Sequence, residues 1–136
     1  MADKYDLSDC IKIWGYLNHM ECLETLNAMD AYCVILDPDH ANADKTIGGK
    51  VYEYLRLKKP IIGIVPVKGE AATLIEETKS GLICKNNSPE EIAQCIKQLI
   101  KREHKFSYVD ISKYSRENLS NQLDGFLSEI IITSNG

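Results

Sequence analysis

Residues 48–63 read GGKVYEYLRLKKPIIG, a stretch in which a glycine pair opens a short helix that leads into an apolar strand. Glycines let the backbone approach a ligand closely, and the first turn of a helix presents free N–H groups at the positive end of its dipole. Such a helix start suits a phosphate group. Glu53 follows about one turn later, where its carboxylate can accept hydrogen bonds from ligand hydroxyls such as those of a ribose. The stretch predicts a phosphate-binding loop, with an ordinary turn as the alternative.

Strands and helices alternate along the rest of the chain. Four apolar runs have the length of strands, at residues 11–15, 32–36, 60–65 and 82–84. Five segments have helix start signals or helical periodicity, and they begin near Asn18, Gly48, Gly69, Ser88 and Ser115. The alternation predicts an α/β fold, in which a Rossmann-like parallel sheet of about four strands is flanked by about five helices.

The loops that follow the first three strands should meet at one edge of this sheet. Ligands of parallel sheets bind beyond the carboxyl ends of the strands. Residues 16–19, 37–49 and 66–69 all open on that edge. We therefore expect these loops to converge on one crevice.

The chain of 136 residues has the composition of about one globular domain, with 44% apolar and 26% charged residues. The formal net charge of -4 argues against nucleic-acid binding, which usually requires a clustered basic face. One basic cluster is present, and we interpret it as cations that complement the carboxyl end of a helix dipole: Lys97, Lys101, Arg102 and Lys105.

The cysteines predict an intracellular compartment. They are odd in number, lack a C-x-x-C spacing and lie mostly among apolar residues, at Cys10, Cys22, Cys33, Cys84 and Cys95. We expect reduced core thiols rather than a disulfide framework. The N-terminus lacks the apolar run of a signal peptide, and no apolar stretch approaches the ~20 residues of a membrane span. We therefore expect a cytoplasmic protein without a transmembrane segment.

Four motifs resemble the donor domain of GT-B glycosyltransferases of the group 1, or family 4, type. They read GYLNH at 15–19, AMDA at 28–31, KVYEYL through KPII at 50–62, and GEAA through GLIC at 69–84. Their order and spacing match from about residue 10 to residue 132. The resemblance implies that residues 1–136 form a single, partial GT-B C-terminal nucleotide-sugar-binding domain, namely its second half, without the N-terminal acceptor domain.

The resemblance also implies an activity and a set of donor contacts. Members transfer a sugar from a nucleoside-diphosphate sugar in glycan biosynthesis, usually with retention and without an essential metal or another cofactor. Glu53 matches the second Glu of the family's E-x7-E motif, which holds the donor ribose. The loop around Gly48 matches the cradle for diphosphate and sugar, and Tyr16 and Leu17 fall where the base is held. We infer that Lys50 is a counter-charge to the diphosphate, with a solvated surface lysine as the alternative. The implied donor contacts are Tyr16, Leu17, Thr46, Ile47, Gly48, Gly49, Lys50 and Glu53.

Two departures from the family pattern affect these expectations. Lys45 stands eight residues before Glu53, where the family often has the first Glu, which contacts the donor sugar. The acceptor domain and the first half of the donor domain have no counterpart in the chain, so we expect a fragment that is inactive alone and assign no catalytic residue.

The resemblance to a partial domain predicts association. In a sheet of order 3-2-1-4-5-6 the strands of this chain would be the third to the sixth, which leaves open edges. Open edges favour recruitment of the missing glycosyltransferase half or self-association. The last helix, at about 115–132, carries an apolar stripe that we expect to pack against another surface: Leu119, Leu123, Phe126, Leu127 and Ile130.

Other chemistries have weaker signals. Residues 37–40 read DPDH and resemble the metal-binding D-x-D of the unrelated GT-A transferases, but Asp and Pro are also ordinary loop formers. The three histidines, His19, His40 and His104, show no metal-ligand spacing. Three functions stay open: a glycosyltransferase fragment that contributes donor binding, a non-catalytic nucleotide-binding module, and an interaction module or remnant without a ligand.

Overall fold

The computed structural model describes residues 2–37 and 39–134. A parallel sheet of three strands lies at its centre, β1 (Tyr32–Ile35), β2 (Ile61–Ile64) and β3 (Gly81–Cys84), in the order β1-β2-β3. Ile35, Ile64 and Cys84 stand side by side in the register. The strands are continuously apolar because helices cover parts of both faces. The predicted α/β fold with a parallel sheet is confirmed.

Five α-helices surround the sheet in the described part of the chain: α1 (His19–Asn27), α2 (Gly49–Leu57), α3 (Glu70–Glu77), α4 (Pro89–Ile100) and α5 (Arg116–Ser134). Two predicted helix starts are confirmed by their caps. The Glu21 N–H donates to Asn18 Oδ1 at 3.0 Å, and the Asn18 N–H donates back to Glu21 Oε2 at 2.9 Å. The Glu91 N–H donates to Ser88 Oγ at 3.3 Å. None of the described helices is long and apolar enough to cross a bilayer.

The described chain also contains three short 3-10 turns, of which the first precedes α1 and the other two connect elements: Ala2–Tyr5, Ala43–Lys45 and Ile111–Tyr114. The last of them packs against α2, where the Tyr52 and Tyr114 rings have centroids 6.0 Å apart. Ile111 and Tyr114 also contact the hydrophobic core. The chain therefore enters α5 from the side of the sheet on which α2 lies.

The hydrophobic core lies between the sheet and helices α2 and α3. The ring of Tyr32 on β1 stacks on that of Tyr54 on α2, with centroids 4.3 Å apart, and its hydroxyl donates to the Leu26 carbonyl at 2.9 Å. Close packing requires glycine at the start of β3, because a Cβ on Gly81 would overlap the Ile61 carbonyl of β2. The buried core residues are Tyr32, Val34, Val51, Tyr54, Leu55, Ile61, Val65, Ala71, Ala72, Leu74 and Ile75.

Helix α4 packs on the opposite face, over β3 and β2. Successive side chains of a strand point to opposite faces, so Cys84 points away from the face to which Ile83 belongs. Ile83 contacts the core, whereas Cys84 lies beside Cys95 of α4. Burial, reinforced by the neighbouring Cys95, raises the pKa of the Cys84 thiol to about 12.

The strand expected at residues 11–15 is wrong, because this segment forms no strand. Its side chains are largely exposed, with Ile13 at 88% and Trp14 at 45%. A strand is stable when neighbouring strands accept and donate its backbone hydrogen bonds. In residues 2–37 and 39–134 the three strands pair with one another and none pairs with this segment, so the sheet has three strands instead of about four.

The expectation of core cysteines is correct for only one residue. Cys84 is buried, Cys22 and Cys95 are half-buried, and Cys10 and Cys33 are exposed; all five are free thiols. Cys10 lies in the segment that fails to join the sheet. Cys33 lies on β1, whereas α4 packs mainly over β3 and β2. Apolar sequence context alone therefore overestimated the burial of these thiols.

Candidate functional site

Two of the three predicted loops meet at the carboxyl edge of the sheet. The loop after β1 contains the turn Ala43–Lys45, which packs against α3. The loop after β2 ends at Gly69, where a Cβ would lie 3.0 Å from the Asp44 carbonyl oxygen and 3.1 Å from that of Pro66. A side chain at this position would require the neighbouring backbone to shift by a few tenths of an ångström. The two loops thus form one surface at the edge where ligands of parallel sheets bind.

The start of α2 is open to solvent in this surface. Gly48 is its N-cap, with φ of +78° and ψ of 130°, and no side chain caps the helix. A Cβ on Gly48 or on Gly49 would meet no atom within 4 Å. The Val51 N–H donates to the Gly48 carbonyl at 3.2 Å, so the N–H groups of Gly49 and Lys50 precede the first intrahelical hydrogen bond. An anion can therefore approach this helix start without displacing a side chain.

Glu53 and Lys50 extend the same exposed surface along α2. Glu53 is four residues after Gly49, which places it on the same side of the helix and about 6 Å further along its axis. Both charged side chains are exposed, and neither belongs to any ion pair in the described part of the chain. Tyr54 lies next to Glu53 and is buried. Its burial is the main cause that raises the pKa of its hydroxyl, and the negative charge of Glu53 raises it further. The carboxylate of Glu53 is therefore available to a ligand.

A cavity of about 260 Å³ lies beside this helix start. Its lining residues come from the end of β1 and the loop that follows: Leu36, Asp37, His40, Ala43 and Thr46. Local hydrogen bonds hold the loop, since Thr46 Oγ1 donates to the Asn42 carbonyl at 2.8 Å and the Asp39 N–H donates to Asp37 Oδ1 at 3.0 Å. The cavity is large enough for a small polar group.

Sequence reasoning placed Thr46 at the donor site but did not group it with the other lining residues. Position in the sequence could have indicated this grouping, because Leu36 and Asp37 follow β1 directly at its carboxyl end. Lys45 lies in the turn Ala43–Lys45, and its side chain is exposed.

Tyr16 and Leu17 occupy a different setting. They precede the N-cap of α1, and Tyr16 is 97% exposed while Leu17 is half-buried. Burial therefore gives Tyr16 no fixed position relative to the start of α2. Thr46, Ile47, Gly48, Gly49, Lys50 and Glu53, in contrast, lie in one continuous segment that leads into α2. Base contacts by Tyr16 and Leu17 stay a prediction.

The metal alternative at residues 37–40 has no supporting cluster. Within residues 2–37 and 39–134, no group of three or more His, Cys, Asp and Glu side chains could hold a metal ion. Asp37 accepts the Asp39 N–H, and His40 Nδ1 lies 2.9 Å from the Ala41 carbonyl oxygen. Pro38 of this motif lies outside the described residues.

Comparison with known proteins identifies the family. The family model for glycosyl transferases group 1 matches residues 1–118, which is most of the chain. No curated protein shows a significant match. No solved structure shows one either. The parallel α/β sheet, with its open helix start beyond β1, agrees with that match, and the chain therefore belongs to the glycosyl transferases group 1 family.

Proposed function

We propose that this chain binds a nucleoside-diphosphate sugar as part of a glycosyl transfer reaction. The diphosphate lies against the N–H groups at the start of α2, and Glu53 accepts hydrogen bonds from the ribose. One observation carries this proposal: the start of α2 is uncapped and free of side chains at Gly48 and Gly49, and Glu53 lies one turn further on the same side.

The position of the chain within a GT-B enzyme is part of this proposal. We assign residues 1–136 to the second half of the C-terminal donor domain. The order β1-β2-β3, in which sequence neighbours are also sheet neighbours, supports an assignment to the fourth, fifth and sixth strands of a 3-2-1-4-5-6 sheet. In that sheet the outer edge of β1 pairs with a strand of the first half, so we expect glycosyl transfer to require both halves of the donor domain.

Lys45 favours a second candidate function, a nucleotide-binding module without catalysis. The family often has an acid at this position that contacts the donor sugar, and an exposed lysine cannot accept hydrogen bonds from sugar hydroxyls. The diphosphate and ribose contacts do not involve this position. The second candidate therefore keeps nucleotide binding and loses sugar recognition.

Thermal unfolding of the chain with a panel of nucleoside diphosphates and their sugars tests both candidates. A ligand at 100 times its dissociation constant adds about 2.7 kcal/mol to the free energy of unfolding, which raises Tm by several degrees for a chain of this size. Glu53→Gln should abolish most of this shift, because an amide replaces the carboxylate that accepts the ribose hydroxyls.

Glu76→Gln on α3 is the matched control, since it removes the same charge from an exposed site on a different helix. Equal Tm shifts for the diphosphate and its sugar favour the nucleotide-binding module, whereas a larger shift for the sugar favours the transferase. Identical shifts in wild type, Glu53→Gln and Glu76→Gln would contradict the proposed ribose contact.

A further inference from the structure

The sheet face under α4 is covered at β3 and open at β1. Along the register row that crosses the three strands, Cys84 is 1% exposed, Ile64 is half-buried and Ile35 is 68% exposed. Cys33 shares this face of β1 and is exposed as well. We call the open region, with Cys33 and Ile35 as its floor and Ile64 at its inner side, the β1 trough. An apolar floor of this kind requires a cover.

Helix α5 carries an apolar ridge that stays about half exposed among the described residues. Leu119, Leu123, Phe126 and Leu127 fall within one side of the helix and are 47%, 58%, 61% and 49% exposed. We call these four residues the α5 ridge. Among the described elements, α5 packs mainly on the turn Ile111–Tyr114 near its first residues. The ridge is uncharged, and the carboxylates of α5 nearest to it in sequence lie away from the ridge side.

We propose that two copies of the chain associate about a two-fold axis, with the α5 ridge of each copy covering the β1 trough of the other. Ridge and trough are both apolar, and α/β folds bury the apolar faces of their sheets under helices. Reciprocal exchange uses the same pair of surfaces twice and closes the assembly. The proposal does not depend on donor binding, and its test needs no ligand.

The path of the chain favours a second copy over the chain's own α5. The turn Ile111–Tyr114 packs on α2, and a single residue, Ser115, separates it from α5. Helix α2 and the β1 trough lie on opposite faces of the sheet. The ridge would have to pass around the sheet edge to reach its own trough, and one connecting residue does not provide that length.

Charge disfavours a simpler pairing of two copies through the β1 edges. Asp30 and Asp37 flank β1 on its two sides. A two-fold, antiparallel pairing of β1 strands would place Asp30 of each copy near Asp37 of the other, and like charges across strands are destabilising. Covering the trough with a helix avoids this juxtaposition.

The available area is sufficient for a stable dimer. Each large, half-exposed apolar side chain contributes on the order of 100 Å². With four ridge and three trough side chains in each copy, complete cover removes at most about 1,400 Å² from water, which is within the range of specific protein interfaces. Such an interface makes dimerisation measurable by analytical ultracentrifugation.

The first test is a cross-link between the two surfaces. In a Cys10→Ser background, Leu123→Cys places a thiol on the ridge, and a short bis-maleimide should join it to Cys33 in a covalent dimer. Asp124→Cys places a thiol off the ridge and should give little dimer. Peptide mapping identifies the linked residues. A Cys33 link within monomers, or equal dimer yields from both variants, would overturn the exchange.

The second test measures the dimer dissociation constant by sedimentation. Ile35→Lys should raise it at least ten-fold, because the lysine places a charge in the trough. Ile13→Lys is the control, since Ile13 is also strongly exposed but lies outside both surfaces. The proposal fails if wild type stays monomeric up to its solubility limit, or if Ile13→Lys weakens the dimer as much as Ile35→Lys.

Discussion

Gly48 decides whether the start of α2 can serve as a binding loop. Its φ of +78° with ψ of 130° belongs to a backbone region that residues with a Cβ rarely adopt. Gly49, directly after it, has no such strain, and both positions have open space around them. The two glycines therefore differ in role: the first sets the direction of the backbone, and the second only keeps the surface free.

We expect Gly48→Ala to lower the free energy of unfolding by about 1–3 kcal/mol, because alanine is strained at this backbone conformation. Gly49→Ala should leave stability unchanged or raise it by up to about 1 kcal/mol, since alanine restricts the unfolded chain and fits a first helical turn. Urea unfolding of both variants measures the difference. A Gly48→Ala chain as stable as Gly49→Ala would show that the loop does not hold this conformation.

At the scale of elements, a side-chain contact at the start of α4 joins this helix to the strand before it. Glu91 in the first turn of α4 accepts a hydrogen bond from the Lys85 N–H at 3.1 Å and lies 3.4 Å from the Lys85 ammonium. Lys85 is the first residue after β3. The hydrogen bond from the Lys85 N–H is the main cause that holds the pKa of Glu91 below its ordinary value, and the Lys85 side chain lowers it further.

This lowered pKa predicts a pH dependence of stability. The contribution of Glu91 is complete above the unfolded-state pKa, near 4.5, and is lost as the pH falls through the lower folded-state pKa. Below about pH 4.5, the Tm of the wild-type chain should therefore fall more steeply with decreasing pH than the Tm of Glu91→Gln. Glu90→Gln, the neighbouring exposed carboxylate, is the control. Parallel Tm curves for all three chains would argue against the Glu91–Lys85 contact.

Across the whole molecule, burial is concentrated in the layer formed by the sheet, α2 and α3, and thins out toward both chain ends. The residues that are completely buried belong to β2, α2, α3 and the segment around β3. The segment at residues 11–15 and helix α5 contribute little to the core. Global unfolding should therefore be governed by the central layer.

Cys84 provides a chemical probe of this central layer. Its thiol is 1% exposed with a pKa of about 12, so alkylation should occur only when the protein opens. Its alkylation rate, followed by mass spectrometry, should rise with urea in parallel with unfolding. Cys10 is exposed and should react rapidly and independently of urea below the transition. Comparable rates for both thiols without urea would mean that α4 does not protect β3.

The amino-acid sequence by itself determined the periodic elements and their caps. The capping box at Asn18, the Ser88 start and the continuously apolar strands act over a few residues, so local sequence defines them. The glycine pair at the start of α2 was likewise predictable, because the positive φ at Gly48 is a requirement that glycine alone meets easily.

Only the tertiary structure decided which apolar segments find partners. The run at residues 11–15 has the composition of a strand and forms none, and Cys33 has an apolar context and is exposed. The cavity beside Thr46 also depends on how the loop after β1 folds back. Burial and pairing require a neighbour that is distant in sequence, and whether that neighbour is present is a property of the packed molecule rather than of the local pattern.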